Sequence, residues 1–205
     1  MIKKLVFGVG INDSNTPVTR VNYIEGVRTV TSCPYYKKWY GIINRCYDKS
    51  YQERKPSYVG ATVCKEWLTF SNFKRWCIEQ EKEVGDISKL ELDKDLLSTD
   101  SNHYSPSTCC FLPKKVNMFL QIRTDGKQKS GVIKRSNISY RASYRDSLRG
   151  KRINIGSYPT EELAYQAYLS KKVDLAKEIA STSLVPQQHV KEALINYYQQ
   201  ERING

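Results

Sequence analysis

Asp93, Asp95 and Asn117 are the residues of this chain whose types and spacing best suit chemistry. They fall within Leu92 to Asn117, LDKDLLSTDSNHYSPSTCCFLPKKVN, a stretch laid out as a strand, a turn-rich loop and a short helix. The two aspartates flank Lys94 at the end of a β-like run, and Asn117 follows a Ser-Pro turn. In such a layout carboxylate and amide oxygens converge, and hard oxygen donors suit Mg²⁺ or Mn²⁺. His103 stands in the intervening loop. The plainer alternatives are a turn or helix-cap role for the aspartates and a solvated loop role for His103.

The flanking pattern predicts the elements that position these residues. KKLVFGV and VRTVTS are short β candidates in the first thirty residues. Pro34 opens a helix that places Trp39, Ile42, Ile43 and Cys46 on one face and leaves Lys37, Lys38 and Arg45 outside or on its rim. Asp48 to Val63 is expected as a polar loop, whose Tyr51, Arg54, Lys55 and Tyr58 are candidates for touching nucleic acid. A second helix, from about Lys65 to Gln80, carries Trp67, Phe70, Phe73, Trp76 and Cys77 as core. Beyond Pro106, Phe111, Leu112, Val116 and Phe119 seat the Asn117 helix.

After the polar turn TDGKQKSG, the run from Gly131 has the rhythm of three short strands and a helix. VIKRS, SYRASYR and RINIGSY alternate as strands, with Asn137, Asp146 and Gly150 at their turns. Thr160 is a plausible N-cap, and Glu161 and Glu162 occupy the first turn, where the helix dipole favours acids. Pro186 opens a last helix with Val190, Ala193, Leu194, Tyr197 and Tyr198 on one face, while His189 is expected at the surface.

A formal charge of +12 over 205 residues argues for a polyanionic partner, because clustered Lys and Arg release condensed counterions from phosphates. The charge is concentrated. From Arg123 to Arg152 ten basic residues face two acids, a net +8 over thirty residues. Engagement of about six phosphates predicts a log-affinity against log-salt slope near −5. No run of 18 apolar residues is present, and the short Leu5 to Val9 run is broken by Gly8, so neither a membrane span nor a signal peptide is expected. An intracellular protein follows as the expectation. The six cysteines form no C-x-x-C pair and are expected as small buried hydrophobes. The alternative is a wide-spaced zinc site from Cys33, Cys46, Cys64 and one of Cys109 or Cys110.

Five motifs in order carry a family likeness: GVGIND from Gly8, YYKKWYGIINRCYDKSYQERKPSY from Tyr35, VCKEWLTFSNFKRW from Val63, then LDKDLL and YSPSTCCF. Together they resemble the HNH nucleases, especially phage and prophage proteins that join an HNH-like segment to a small C-terminal DNA-binding module. The resemblance implies metal-dependent cleavage of DNA in a bacterial cytoplasm, with a ββα-metal finger cradled by helices and fitted into the minor groove. By position, Asp93 and Asn117 take the metal-side places. Lys94 stands where these enzymes usually have a His base; an exposed ammonium is a poor base near neutrality, which leaves His103 or metal-bound water to assist.

The later motifs, GV opening the first strand, Y-x-A in the second, IGSY closing the third and TEELAYQAY on the helix, resemble the plant ethylene-response-factor type of DNA-binding domain. That resemblance implies a sheet laid in the major groove. The residues assigned to DNA are Lys134, Arg135, Tyr140, Arg141, Ser143, Arg145, Arg152 and Asn154. Ile133 and Asn154 lie where the plant proteins have Arg and Trp, so their base preference does not transfer.

The expected architecture is α+β. Residues 1–122 form an N-terminal leader and helices around the ββα-metal finger, 131–182 a three-stranded antiparallel sheet packed on one helix, and 183–205 a helical tail. The leading function is a phage-type homing-like endonuclease or nickase acting on double-stranded DNA. The alternative is a catalytically degenerate, sequence-specific DNA-binding protein, a repressor or occluder, for which Lys94 is the evidence. RNA binding is a third, drawn from the fifteen tyrosines.

Overall fold

The computed structural model describes residues 5–98, 102–121 and 129–204, and the fold is mixed α+β. The chain divides into two compact units, Met1–Phe111 and Leu112–Gly205. The division falls before the helix that carries Asn117, and the C-terminal helix belongs to the second unit.

The first unit begins with a turn closed by a Val6–Gly10 bridge. A hairpin follows, β1 (Thr19–Ile24) and β2 (Val27–Ser32), antiparallel through a Glu25-Gly26 turn in which both residues have positive φ. Only the second of these strands was expected; the first is Thr19–Ile24 and not the Lys3–Val9 run. Pro34 then starts helix α1 (Pro34–Tyr47), and Trp39, Ile42, Ile43 and Cys46 are buried as the periodicity requires. Asp48 ends that helix and caps the next, α2 (Lys49–Arg54), by accepting from the Ser50 amide at 3.0 Å. The segment expected as a loop is therefore partly helical: a single side-chain cap suffices to start a turn that apolar periodicity does not reveal.

Strand β3 (Thr62–Val63) leads through a short 3-10 turn to helix α3 (Phe70–Val84). Ile11 pairs with the start of α3: its amide donates to Leu68 O at 2.8 Å, and its carbonyl accepts from Phe70 N at 2.9 Å. Asp13 accepts from Ser71 N at 2.9 Å, which satisfies one of the helix's orphan donors. The core is aromatic. Trp39 and Trp67 are almost fully buried, and the Trp39 indole donates to Trp67 O at 2.7 Å, as a buried N–H must. Gly10 packs closely there, and a β-carbon would lie 3.0 Å from the Trp39 ring, tighter than an ordinary contact. Strand β4 (Leu90–Asp93) follows, and β5 (His103–Tyr104) runs parallel to β3. Strand β6 (Cys110–Pro113), whose first half closes the unit, forms a two-stranded sheet with β4.

The second unit carries helix α4 (Lys114–Leu120), which follows β4, β5 and β6 in the chain. The linker expected from Thr124 lies outside the described residues as far as Gln128. Strands β7 (Val132–Ser136), β8 (Ser139–Asp146) and β9 (Lys151–Tyr158) form an antiparallel sheet in the order β7-β8-β9, close to the expected spans. Helix α5 (Glu161–Ser181) packs on it, capped by Thr160 Oγ1, which accepts from Leu163 N at 3.2 Å. Gly131 lets sheet and helix meet: its φ is +75°, and a β-carbon there would lie 2.1 Å from the Tyr168 ring. Helix α6 (Gln188–Asn204) packs on α5 through Val190, Leu194 and Tyr198. No described helix is long and apolar enough to cross a membrane.

Candidate nucleic-acid interface

Alternation along β8 decides which side chains share a face of the sheet. Ala142 and Asp146 are buried on the side of α5, whereas Arg141 and Arg145 are exposed on the other. The strand registers extend that outer face: Ser143 opposes Asn154, Arg145 opposes Arg152, and Arg141 opposes Ser157. A bulge at Ile155 on β9 keeps Asn154 and Arg152 on the arginine face while Gly156 opposes Ala142 on the helix face. Ser143 is nearly covered, at 4 % exposure, although it belongs to this face.

Two assignments change. Lys134 pairs with Tyr140, and Tyr140 has the parity of Ala142, so both lie on the helix side of the sheet, at its end. There the Lys134 ammonium lies 6.0 Å from the centre of the Tyr140 ring. Both residues stand two positions from a buried one, Val132 and Ala142, so simple alternation gives the same side; beyond them the register slips between Lys134 and Ser136, and Arg135 is exposed at the irregularity.

The basic residues of the segment are not equivalent. Arg149 is spent within the fold, donating to Asp146 Oδ2 at 2.8 Å and to Glu178 Oε1 at 2.5 Å. Burial would raise the Asp146 carboxyl, but the Arg149 guanidinium and the Leu148 and Arg149 amides hold it below the usual carboxylate range. Lys129 is likewise tied to Glu162. Arg135, Arg141, Arg145, Lys151 and Arg152 have no carboxylate within 4.0 Å among the described residues. Lys151 opposes Asp146 and so has the parity of the helix side, at the sheet's end. Arg135, Arg141, Arg145 and Arg152 leave the outer face with uncompensated positive charge, which suits an anionic partner. Arg and Asn on alternate positions have the donors that read guanine and adenine edges.

In the first unit, Asp93 Oδ1 accepts from the Asp95 and Leu96 amides at 3.0 and 2.9 Å, so the turn role is filled by one oxygen. Oδ2 takes no hydrogen bond from a described residue. Burial raises the Asp93 carboxyl against those two donors. Lys94 is ion-paired with Asp95 and lies 5.9 Å from the centre of the Tyr104 ring, with little of its side chain exposed. His103 Nδ1 is hydrogen-bonded to Thr62 Oγ1 at 2.7 Å, across the β3–β5 pair. Asn117 is half-buried on α4, in the second unit.

No three described His, Cys, Asp or Glu side chains gather as a metal site. The six cysteines are free thiols, and burial pushes Cys46 and Cys109 up to about 12, which disfavours the thiolates zinc requires. Three of the loop residues singled out for nucleic acid have partners within the fold: the Arg54 guanidinium lies 6.0 Å from the Tyr51 ring centre, the Tyr51 and Tyr58 rings are 5.8 Å apart, and Arg45 of α1 lies 5.8 Å from the Tyr58 ring centre. The buried Lys172 has no sequence signal, because KKVD on a helix looks like a solvated turn.

No family model matches the chain, and neither the curated proteins nor the solved structures include a match to it.

Proposed function

We propose that the protein binds double-stranded DNA through the outer face of β7–β9, with Arg141, Arg145, Arg152 and Asn154 reading the groove and Arg135 reaching a phosphate. The observation that carries this is the absence of a carboxylate within 4.0 Å of those cations among the described residues, beside an Arg149 that is compensated by two. An ordinary solvated face intersperses both signs. The HNH-like and ethylene-response-factor-like motifs agree with the reading. Its test is fluorescence anisotropy of mixed-sequence duplex DNA over a salt series. Binding with a log–log slope near −5 supports it, and a flat response refutes it.

Metal-dependent cleavage is the second reading, favoured by the unused Oδ2 of Asp93. Mg²⁺ commonly binds through one or two carboxylates, with water and substrate phosphate completing its shell, so one free oxygen fits the chemistry. When bound, the ion would polarise the scissile phosphate. Asp93 would hold it, with Asn117 the second residue the motif assigns. Lys94, paired with Asp95, is poorly disposed as a base, and His103 is the better candidate through the nitrogen that Thr62 leaves open. Nicking of supercoiled plasmid in Mg²⁺ or Mn²⁺, abolished by EDTA and in both Asp93→Ala and Asn117→Ala, would establish the reading. Tight binding with no cut in either metal leaves a repressor or occluder.

A further inference from the structure

The β1–β2 hairpin belongs to the first unit and carries none of the residues assigned to DNA or metal. Every residue of its two strands except Thr29 is exposed, and Tyr23, Ile24 and Val27 at the tip are 71 %, 62 % and 64 % exposed. An isolated two-stranded ribbon is marginal in water, and free edges bearing apolar side chains invite a partner. The registers Arg20↔Thr31, Asn22↔Thr29 and Ile24↔Val27 put a row of hydrogen-bonding side chains on one face, ending in two aliphatic groups. Arg20 and Arg28 carry the charge, and Glu25 in the turn is the only acid from Thr19 to Ser32.

We propose that this hairpin is a second DNA-binding element, a ribbon that enters the major groove. Six residues per strand give a length of about 20 Å, and two strands about 5 Å apart fit a groove about 12 Å wide that admits a two-stranded ribbon. Arg20 and Asn22 supply donors for base edges, Ile24 and Val27 meet thymine methyl groups, and Arg28 reaches a phosphate. A second copy of the chain is the rival occupant, but pairing two hairpins would bring four arginines together on proteins that each carry +12. Duplex DNA neutralises that charge.

The inference rests on the DNA-binding reading, and its test separates the two. Full-length Arg20→Glu/Arg28→Glu and Ile24→Ser/Val27→Ser variants are compared with wild type on a mixed-sequence duplex of about 30 base pairs across a salt series, with circular dichroism to confirm folding. The charge variant is expected to bind at least about tenfold more weakly, with a salt slope shallower by about 2. The tip variant is expected to keep the slope and lose preference for A·T-rich over G·C-rich duplexes. Unchanged affinity and slope in the charge variant, with wild type still binding, would overturn the hairpin proposal and leave the sheet reading intact. So would a wild-type dimer that becomes monomeric in either variant by light scattering. Failure of wild type to bind any duplex would remove both readings.

Discussion

The β7–β9 sheet and the β1–β2 hairpin are both short antiparallel elements with arginines facing solvent, yet they are held by different physics. The sheet has a helix behind it: Ala142, Asp146 and the Gly131–Tyr168 contact fix one face, so its register is specified and its outer arginines are presented on a rigid surface. The hairpin has solvent on both faces, and its shape depends on backbone pairing, a tight turn and a few hydroxyl and amide bonds such as Asn22 to Thr31 at 3.4 Å. Presentation on a packed sheet favours selection among sequences, because the donors are preorganised. An arm ordered on contact adds affinity at an entropic cost.

Breaking the sheet from behind should have the largest effect. Gly131→Ala puts a methyl group into the Tyr168 ring at a positive φ and should destabilise the second unit by roughly 3 kcal/mol, abolishing DNA binding in proportion to the folded fraction. Urea unfolding beside anisotropy checks this. Arg141→Gln/Arg145→Gln/Arg152→Gln should leave the unfolding midpoint in place. It should weaken duplex binding by about 100-fold or more and make the salt slope shallower by about 3.

Lys172 supplies the next effect. It is 5 % exposed on α5, donates to Phe119 O at 2.5 Å, and lies 3.7 Å from the Phe119 ring centre and 4.6 Å from that of Tyr198. Burial pushes its amine down to about 7, while the carbonyl and the two rings favour the ammonium and offset part of that. The unfolded chain, titrating near 10.5, therefore binds more protons than the native state between about pH 7 and 10.5. Wild-type stability should rise with pH through that window. Lys172→Met should be more stable than wild type by roughly 1–3 kcal/mol near pH 6, a gain that fades as pH approaches 10.5. Denaturation midpoints at several pH values measure it.

Arg149→Ala should lower the melting temperature modestly, since it leaves the buried Asp146 without its cation, but keep the salt slope of wild type. That outcome would confirm that an arginine in the same basic run is structural. A slope as shallow as that of the outer-face variants would erase the distinction on which the interface rests.

Much of this arrangement was legible in the sequence where burial imposes a period. The strands of the second unit, the Thr160 cap and the Trp39 face of α1 follow from alternation, turn residues and helical spacing. What was missed lies where no core imposes one. The first hairpin strand faces solvent on both sides, although Glu-Gly between two β-branched runs was its available signal. Lys134 and Tyr140 are a different case: alternation from the buried Val132 and Ala142 puts both on the helix side, and assignment by family position overrode that count. Among the site residues, the Asp93 turn was foreseen as an alternative. The pairing of Lys94 with Asp95 depends on local geometry that residue spacing does not specify.

The Phe119 carbonyl accepts from both Lys172 on α5 and Tyr198 on α6, at 2.5 and 2.6 Å. One backbone oxygen near the end of α4 thereby fastens three segments that are far apart in sequence. The smallest autonomous piece of this chain that carries the arginine face should therefore extend well beyond three strands and one helix. Cutting before Gln188 would strip a hydroxyl and a ring from a lysine that water barely reaches, and an excised 131–182 fragment would be an incomplete protein where its sequence suggests a finished module.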